Sequence, residues 1–288
     1  MMTRFLPYTL ILLLTLSLPV LANRFANVEI NATPLADNLY MLTGSGGNMA
    51  ALVTDSEVIL IDAQFAELAD KINARLVELS AGKALGTLIN THLHADHVNG
   101  NSALKPKRII AHVNVLKRLS ADESFPRSGL PGETFETQLS LNFNGQKVRL
   151  EYLPPSHTDG DIIVWFEGKN VVHMGDMMFE GRFPFIDLNN GGSVRGYIAN
   201  VAYVLDQIDD KTIVVPGHGQ LTDKAGLQRF HQMMVTTLAI VEQQQAKGLT
   251  NEQIVEAGLG AEWANWHWNF ITEQRWINTL LQAEPLTL

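Results

Sequence analysis

Four side chains able to bind a metal crowd into six positions of the segment NTHLHADHVNG: His92, His94, Asp96 and His97. Imidazoles suit Zn, Fe, Cu and Ni, and a carboxylate adds a hard anionic donor. Packing gives no reason to gather three histidines and an aspartate there. The apolar run 87–89 before them reads as a buried strand opening into a polar loop. Alternation along that strand sends His92 and His94 one way, whereas Asp96 and His97 belong to the following turn. The spacing therefore predicts two neighbouring ligand sets rather than one.

Three further polar clusters each follow an apolar run in the same way. His157 lies in PSHTDGD after the run 148–153, Asp176 in MGD after 171–173, and His218 in PGHG after 212–215. Ligands in loops at one end of parallel-running strands can converge on one crevice. Five histidines and two aspartates suffice for two sites, each with a position open to water or substrate, as a catalytic metal requires. Cys is absent, so every metal ligand must be His, Asp or Glu.

The elements that position these loops follow from periodicity. Runs 39–42, 51–53 and 58–61, separated by turn-rich GSGGN and DS, predict an antiparallel meander ending at Asp62. Apolar residues at helical spacing predict a helix over 65–80, and shorter patterns predict helices over 113–119 and 194–207. Runs 139–143 and 148–153 flank Asn144-Gly145, the signal for a tight hairpin. Residues 120–136, rich in Pro, Gly and charge, read as a long surface loop, either an active-site wall or a tolerated insertion. A long helix over 224–247 opens a tail that reads as helical from about 224 to 288. Strands with helices, twice over, predict two similar halves stacked sheet on sheet with helices outside, in one domain over 23–288.

Residues 1–22 stand apart. Arg4, the apolar stretch 10–18 and Val20-Leu21-Ala22 form the pattern of a cleaved signal peptide, so the chain is expected to be exported, periplasmic or secreted. No other segment is apolar enough to span a membrane. The 288 residues carry a net charge of −9 with no basic stripe, which argues against a nucleic-acid or anionic-membrane partner and for a small-molecule one.

HLHADH, followed in order by SHTDGD, GD and PGHG, resembles the metallo-β-lactamase superfamily over roughly residues 39–221. The resemblance implies an αββα four-layer sandwich, here with a helical C-terminal extension. It also implies two Zn2+ per chain, with iron or manganese as substitutes. His92, His94 and His157 would hold the first metal, and Asp96, His97 and His218 the second. Asp176 would bridge them, so that Asp96 and Asp176 stand closest to the chemistry. Two metals about 3.5–4 Å apart share a water and lower its pKa toward 7. The expected reaction is hydrolysis of a small-molecule amide, ester, lactone or thioester. β-Lactam hydrolysis stays open, although the subclass with Cys at the position of Asp176 is excluded, and that subclass carries Lys where this chain has Phe179.

Two alternatives carry different chemistry. One is a mononuclear iron dioxygenase acting on a persulfide, whose ligands would be His92, His157 and Asp176. The other is a non-catalytic binding protein on the same fold. Phe179, Arg182 and Asn189 are candidate substrate contacts in the segment after Asp176. Asp62, Asp159 and Asp161 are candidates to orient the ligand imidazoles. His112, His173, His231 and His267 receive no metal role, with His173 expected in the core. The tail has too few basic residues to suggest a glutathione thioester. Its tryptophans are expected to cap the sandwich or make a contact in a homo-oligomer.

Overall fold

Strand Val58–Ile61 shows how the layers arise. All four of its side chains are fully buried. Val58 and Leu60 join one apolar cluster, Ile59 and Ile61 another. Successive strand residues point to opposite faces, so this strand must be covered on both sides. The computed structural model, which describes residues 24–283, supplies both covers.

One sheet has seven strands in sequential order: β1 (Asn31–Ala36), β2 (Leu39–Thr43), β3 (Met49–Val53), β4 (Val58–Ile61), β5 (Leu85–Ile89), β6 (Arg108–His112) and β7 (Glu133–Phe135). β2 to β4 form the expected antiparallel meander, β1 adds an unexpected antiparallel strand at its edge, and β4 to β7 run parallel. The second sheet comprises β8 (Gln138–Phe143), β9 (Gln146–Tyr152), β10 (Ile162–Glu167), β11 (Val171–His173) and β12 (Ile213–Val215), ordered 12-11-10-9-8, with only β11 and β12 parallel. Asn144 and Gly145, both at positive φ, make the tight β8–β9 turn.

Residues such as Ile59, Ile61, Ile89 and Ile110 meet Leu150, Val164, Phe166 and Val215 between the sheets. Helices α1 (Ala69–Ser80), α2 (Ala95–Val98), α3 (Asn101–Leu104) and α4 (Val113–Ala121) belong to the first half. Of these, α1 covers the first sheet through Ile72 and Leu76, while Val98 of α2 and Val115 of α4 pack with Ala111 of β6. Helices α5 (Val194–Gln207) and α6 (Lys224–Ala246) cover the second sheet, and α7 (Asn251–Ala257) and α8 (Glu273–Leu280) pack into the same cluster. The result is the four-layer αββα sandwich expected from the sequence.

Two details differ from expectation. The first turn of the predicted 65–80 helix is a separate 3-10 turn, Ala66–Leu68. The segment 120–136 is not a plain loop either. Phe125 is buried, Arg127–Gly129 forms a turn against α3, and β7 closes the sheet edge beside β6. A three-residue strand paired only with a distant neighbour leaves no periodic signal. The predicted signal peptide lies outside the described residues.

Candidate metal centre

The parallel strands deliver their ligands from the same end. His92 and His94 follow β5, and His97 sits in the single-turn helix α2. His157 lies in the loop between β9 and β10, Asp176 in the turn after β11, and His218 just beyond β12. The two sheets are tied together there. Ile162 N–H donates to Thr91 O, Asn48 N–H to Gly217 O, and the Asn48 amide to Pro216 O and Gly219 O. A buried reciprocal pair, Asn90 with Asn101 at 3.0 and 2.8 Å, fixes the start of the histidine loop.

All seven ligand candidates meet, and they fall into two groups. His92, His94, His157 and Asp176 offer atoms within 4.8 Å of one another, and so do Asp96, His97 and His218. In the first group His94 Nδ1 lies 3.1 Å from His92 Nε2 and 2.8 Å from His157 Nε2. Asp176 joins the groups. Its Oδ2 faces His92 and His157 Nε2 at 3.7 and 3.5 Å, while its Oδ1 faces His97 and His218 Nε2 at 3.1 and 3.4 Å. Two glycines permit this crowding. A Cβ on Gly217 would stand 2.1 Å from Asp176 Oδ1, and one on Gly47 would stand 2.1 Å from the His97 ring.

The donor set fits a metal centre. His97 Nε2 and Asp176 Oδ1 are buried without a hydrogen-bond partner, an arrangement that costs about 1–3 kcal/mol per group unless something else satisfies them. The outward nitrogens of His92, His94, His97 and His157 are held, as they are around bound metals. Asp62 Oδ2 takes His97 Nδ1 at 2.7 Å and also accepts from the Thr91 hydroxyl, which lies 3.0 Å from His92 Nδ1. Asp187 Oδ2 holds His94 Nε2 at 2.9 Å, and Phe185 O holds His157 Nδ1 at 2.7 Å.

Charges divide the groups further. Burial, reinforced by His97, keeps the His92 imidazole neutral by pushing its pKa well down. Burial and His94 push His157 down to about 3. In the second group burial also disfavours the cation, but Asp176, Asp96 and Asp62 outweigh it and hold His97 well above its ordinary value. Asp176 and Asp96 likewise raise His218 to about 9 against its burial. Burial works against the Asp176 carboxylate, yet His218, His97 and His92 hold it well below the usual carboxylate range.

Of the three aspartates expected behind the ligands, Asp62 has that place. Asp159 instead pairs with Arg118 at 2.6 Å, and Asp161 accepts from the Thr158 hydroxyl and backbone N–H. Asp187 has the place they lack. It sits 30 residues beyond His157 with nothing local to mark it, in the segment already singled out for Arg182 and Asn189. His173 is a satisfied core residue between Asn48 O and the Gly175 N–H. His112 caps α4 and stacks on Tyr152 at 3.9 Å, away from the centre.

A cleft of about 640 Å³ opens over the ligands, with His94, Asp96, Asp176 and His218 in its lining. Phe179 lines it and stacks on His218. Arg182 lies behind the lining, over the Trp268 ring, and Asn189 is exposed and outside the cleft. The tail tryptophans divide. Trp276 is fully buried, whereas Trp268 packs against the core on one side and lines the cleft on the other, beside Phe270. Segment 120–136 contributes nothing to the lining.

A family model described as the metallo-beta-lactamase superfamily matches residues 42–218. The "Metallo-beta-lactamase type 2" of Bacillus sp. (strain 170) is 27% identical over 177 residues, covering 62% of this chain and 68% of its own. Among solved structures, DIM-1 metallo-beta-lactamase superposes with a TM-score of 0.62 at 17% identity, over 73% of this chain and 99% of that one. The sec-alkylsulfatase Pisa1 from Pseudomonas sp. reaches 0.71 at 15% identity, over 88% of this chain and 50% of its own. Trp268 and Phe270 lie beyond the stretch that the family model matches.

Proposed function

The chain belongs to the metallo-beta-lactamase superfamily, and from that premise we propose a hydrolase that holds two zinc ions and cleaves a small-molecule amide, ester, lactone or thioester. The carrying observation is Asp176, whose two oxygens face different histidine groups, as a carboxylate shared between two cations would. His92, His94 and His157 would hold one ion, and Asp96, His97 and His218 the other. When bound, such ions polarise a carbonyl and lower the pKa of a water. The chain's own part is to keep the imidazoles aimed through Thr91, Asp62, Asp187 and Phe185 O. Asp96, part-exposed at the cleft and 3.3 Å from His218, is placed to take up and return a proton. Export to the periplasm or beyond, and one domain over 23–288, complete the proposal; the support is the pattern of residues 1–22 and the single ordered set of ligand loops.

Metal analysis of zinc-reconstituted protein tests the nuclearity. We expect close to two zinc per chain, and a stable content near one would overturn it. A chelator-controlled panel of nitrocefin, lactones and acyl thioesters then finds the bond. Oxygen uptake by iron-loaded protein with a persulfide, without hydrolysis of any panel member, would replace this reading with the dioxygenase.

A further inference from the structure

The cleft is walled by rings that no ligand role explains. Phe65 comes from the first half, Phe179 and Phe185 from the segment after Asp176, and Trp268 and Phe270 from the turn before α8. No lysine lines the cleft, and Arg24 is its one arginine among the described residues. The Trp268–Phe270 wall is held from behind. Trp268 Nε1 donates to Phe183 O at 2.9 Å, and the Arg182 guanidinium lies 5.2 Å from the Trp268 ring centroid. Arg275 sits over Phe270 at 4.3 Å and Phe185 at 5.2 Å, and donates to Phe270 O at 2.8 Å.

The wall adjoins the reacting centre. The Phe185 centroid is 5.5 Å from that of His94, and the Trp268 centroid 6.4 Å from that of His218. Phe270 is nonetheless 46% exposed at the mouth, so its ring gains little from the core. A large aromatic surface kept rigid, open to water and next to a catalytic centre is arranged for a ligand, because prior ordering removes part of the cost of binding.

We infer that Trp268, Phe270 and Phe185 form an aryl-binding subsite, and that the substrate carries a flat aromatic group within one or two bonds of the scissile carbonyl. The substrate half of this inference rests on the hydrolase reading above; the subsite itself does not. Two measurements separate them. Calorimetric titration of zinc-loaded protein with 1-naphthaleneacetamide and with acetamide reads the subsite without any bond being cleaved. Hydrolysis of the phenylacetyl and acetyl thioesters of N-acetylcysteamine reads the preference in kcat/KM.

Wild type should bind the naphthyl amide and show no detectable binding of acetamide. Phe270→Ala and Trp268→Ala should each weaken naphthyl binding about five- to tenfold and lower the phenylacetyl-to-acetyl ratio by a similar factor. Trp268→Ala removes a hydrogen bond to Phe183 and could unsettle the loop; Phe270, half-exposed, can be removed without that risk. Naphthyl binding that is absent, or unchanged in Phe270→Ala, overturns the subsite even if hydrolysis is robust. Naphthyl binding that depends on Phe270, in a protein that hydrolyses neither thioester, upholds the subsite and counts against the hydrolase reading.

Discussion

The two ligand groups share a bridging carboxylate and little else. The first is three imidazoles, of which His92 and His157 are buried and driven neutral, and its remaining nitrogens are held by Thr91, Asp187 and a backbone carbonyl. The second is one carboxylate and two imidazoles pulled toward the cationic form by Asp176, Asp96 and Asp62. A metal entering the first group therefore meets two imidazoles, His92 and His157, that are already neutral. A metal entering the second must displace protons. On the two-ion proposal, one site in the crevice is the readier for a cation and the other is in competition with acid.

Asp176 is where that contrast can be broken most completely. Asp176→Ala would remove a ligand from each group and take from His97 Nε2 its nearest carboxylate. Supporting residues around a metal typically matter 10- to 100-fold, so loss of the shared ligand should lower turnover by more than about 100-fold. Zinc content should fall at both sites. Retention of two tightly held ions would mean that Asp176 does not bridge.

Replacing one supporting carboxylate at a time should separate the sites. Asp62→Asn tolerates the positive φ at that position while weakening the hold on His97. It should reduce affinity for the second ion about 10- to 100-fold and leave the first closer to wild type. Asp187→Ala should do the reverse through His94, with a loss nearer about tenfold because that side chain is only part-buried. Competition with a coloured chelator resolves the two affinities, and equal losses at both sites in either variant would refute the division.

Acid should sharpen it. The folded pKa values of His97 and His218 lie above the ordinary 6.5, so in metal-free protein their charge–charge stabilisation is complete below about pH 6.5. For His218 it is lost as pH rises through about 9. Metal binding has the opposite sign, since each proton must leave before the nitrogen can bind. At pH 7 the second ion should therefore release more protons on binding than the first, as read by calorimetry in buffers of differing ionisation enthalpy. Between pH 8 and pH 6 the second affinity should drop by up to about tenfold per displaced proton and unit of pH, and the first by less. Matching pH slopes would remove the distinction.

Much of this centre can be read along the chain because its ligands sit where apolar strands end. His92 to His97 are a local cluster, and His157, Asp176 and His218 each follow a β run. Strand alternation already separates His92 and His94 from Asp96 and His97. What escaped is non-local or unpatterned. Asp187 is an ordinary loop aspartate until the fold carries it to His94. Trp268 and Trp276 stand eight residues apart and look alike in sequence, yet one faces the cleft and the other donates to Thr237 inside the core. Composition predicts that tryptophans are buried; only tertiary placement decides against what.

The smallest effect tests how far the support behind the first group extends. Arg118 Nη1 donates to Asn190 Oδ1 at 2.8 Å, and the Asn190 amide donates to Asp187 Oδ2 at 2.7 Å, the oxygen that also holds His94. Arg118→Met removes the far end of this chain together with a part-exposed ion pair to Asp159, which contributes little by itself. Asp187 keeps a second hold, because the Asn190 backbone N–H still reaches its Oδ1 at 3.2 Å. The loss should be diluted at each link, to no more than about threefold in first-site affinity, against about tenfold for Asp187→Ala. Combining the two substitutions should then add nothing at the first site, since with Asp187 gone Arg118 has no route to His94. A double variant clearly weaker than Asp187→Ala would show that Arg118 acts instead through Asp159 and the loop bearing His157.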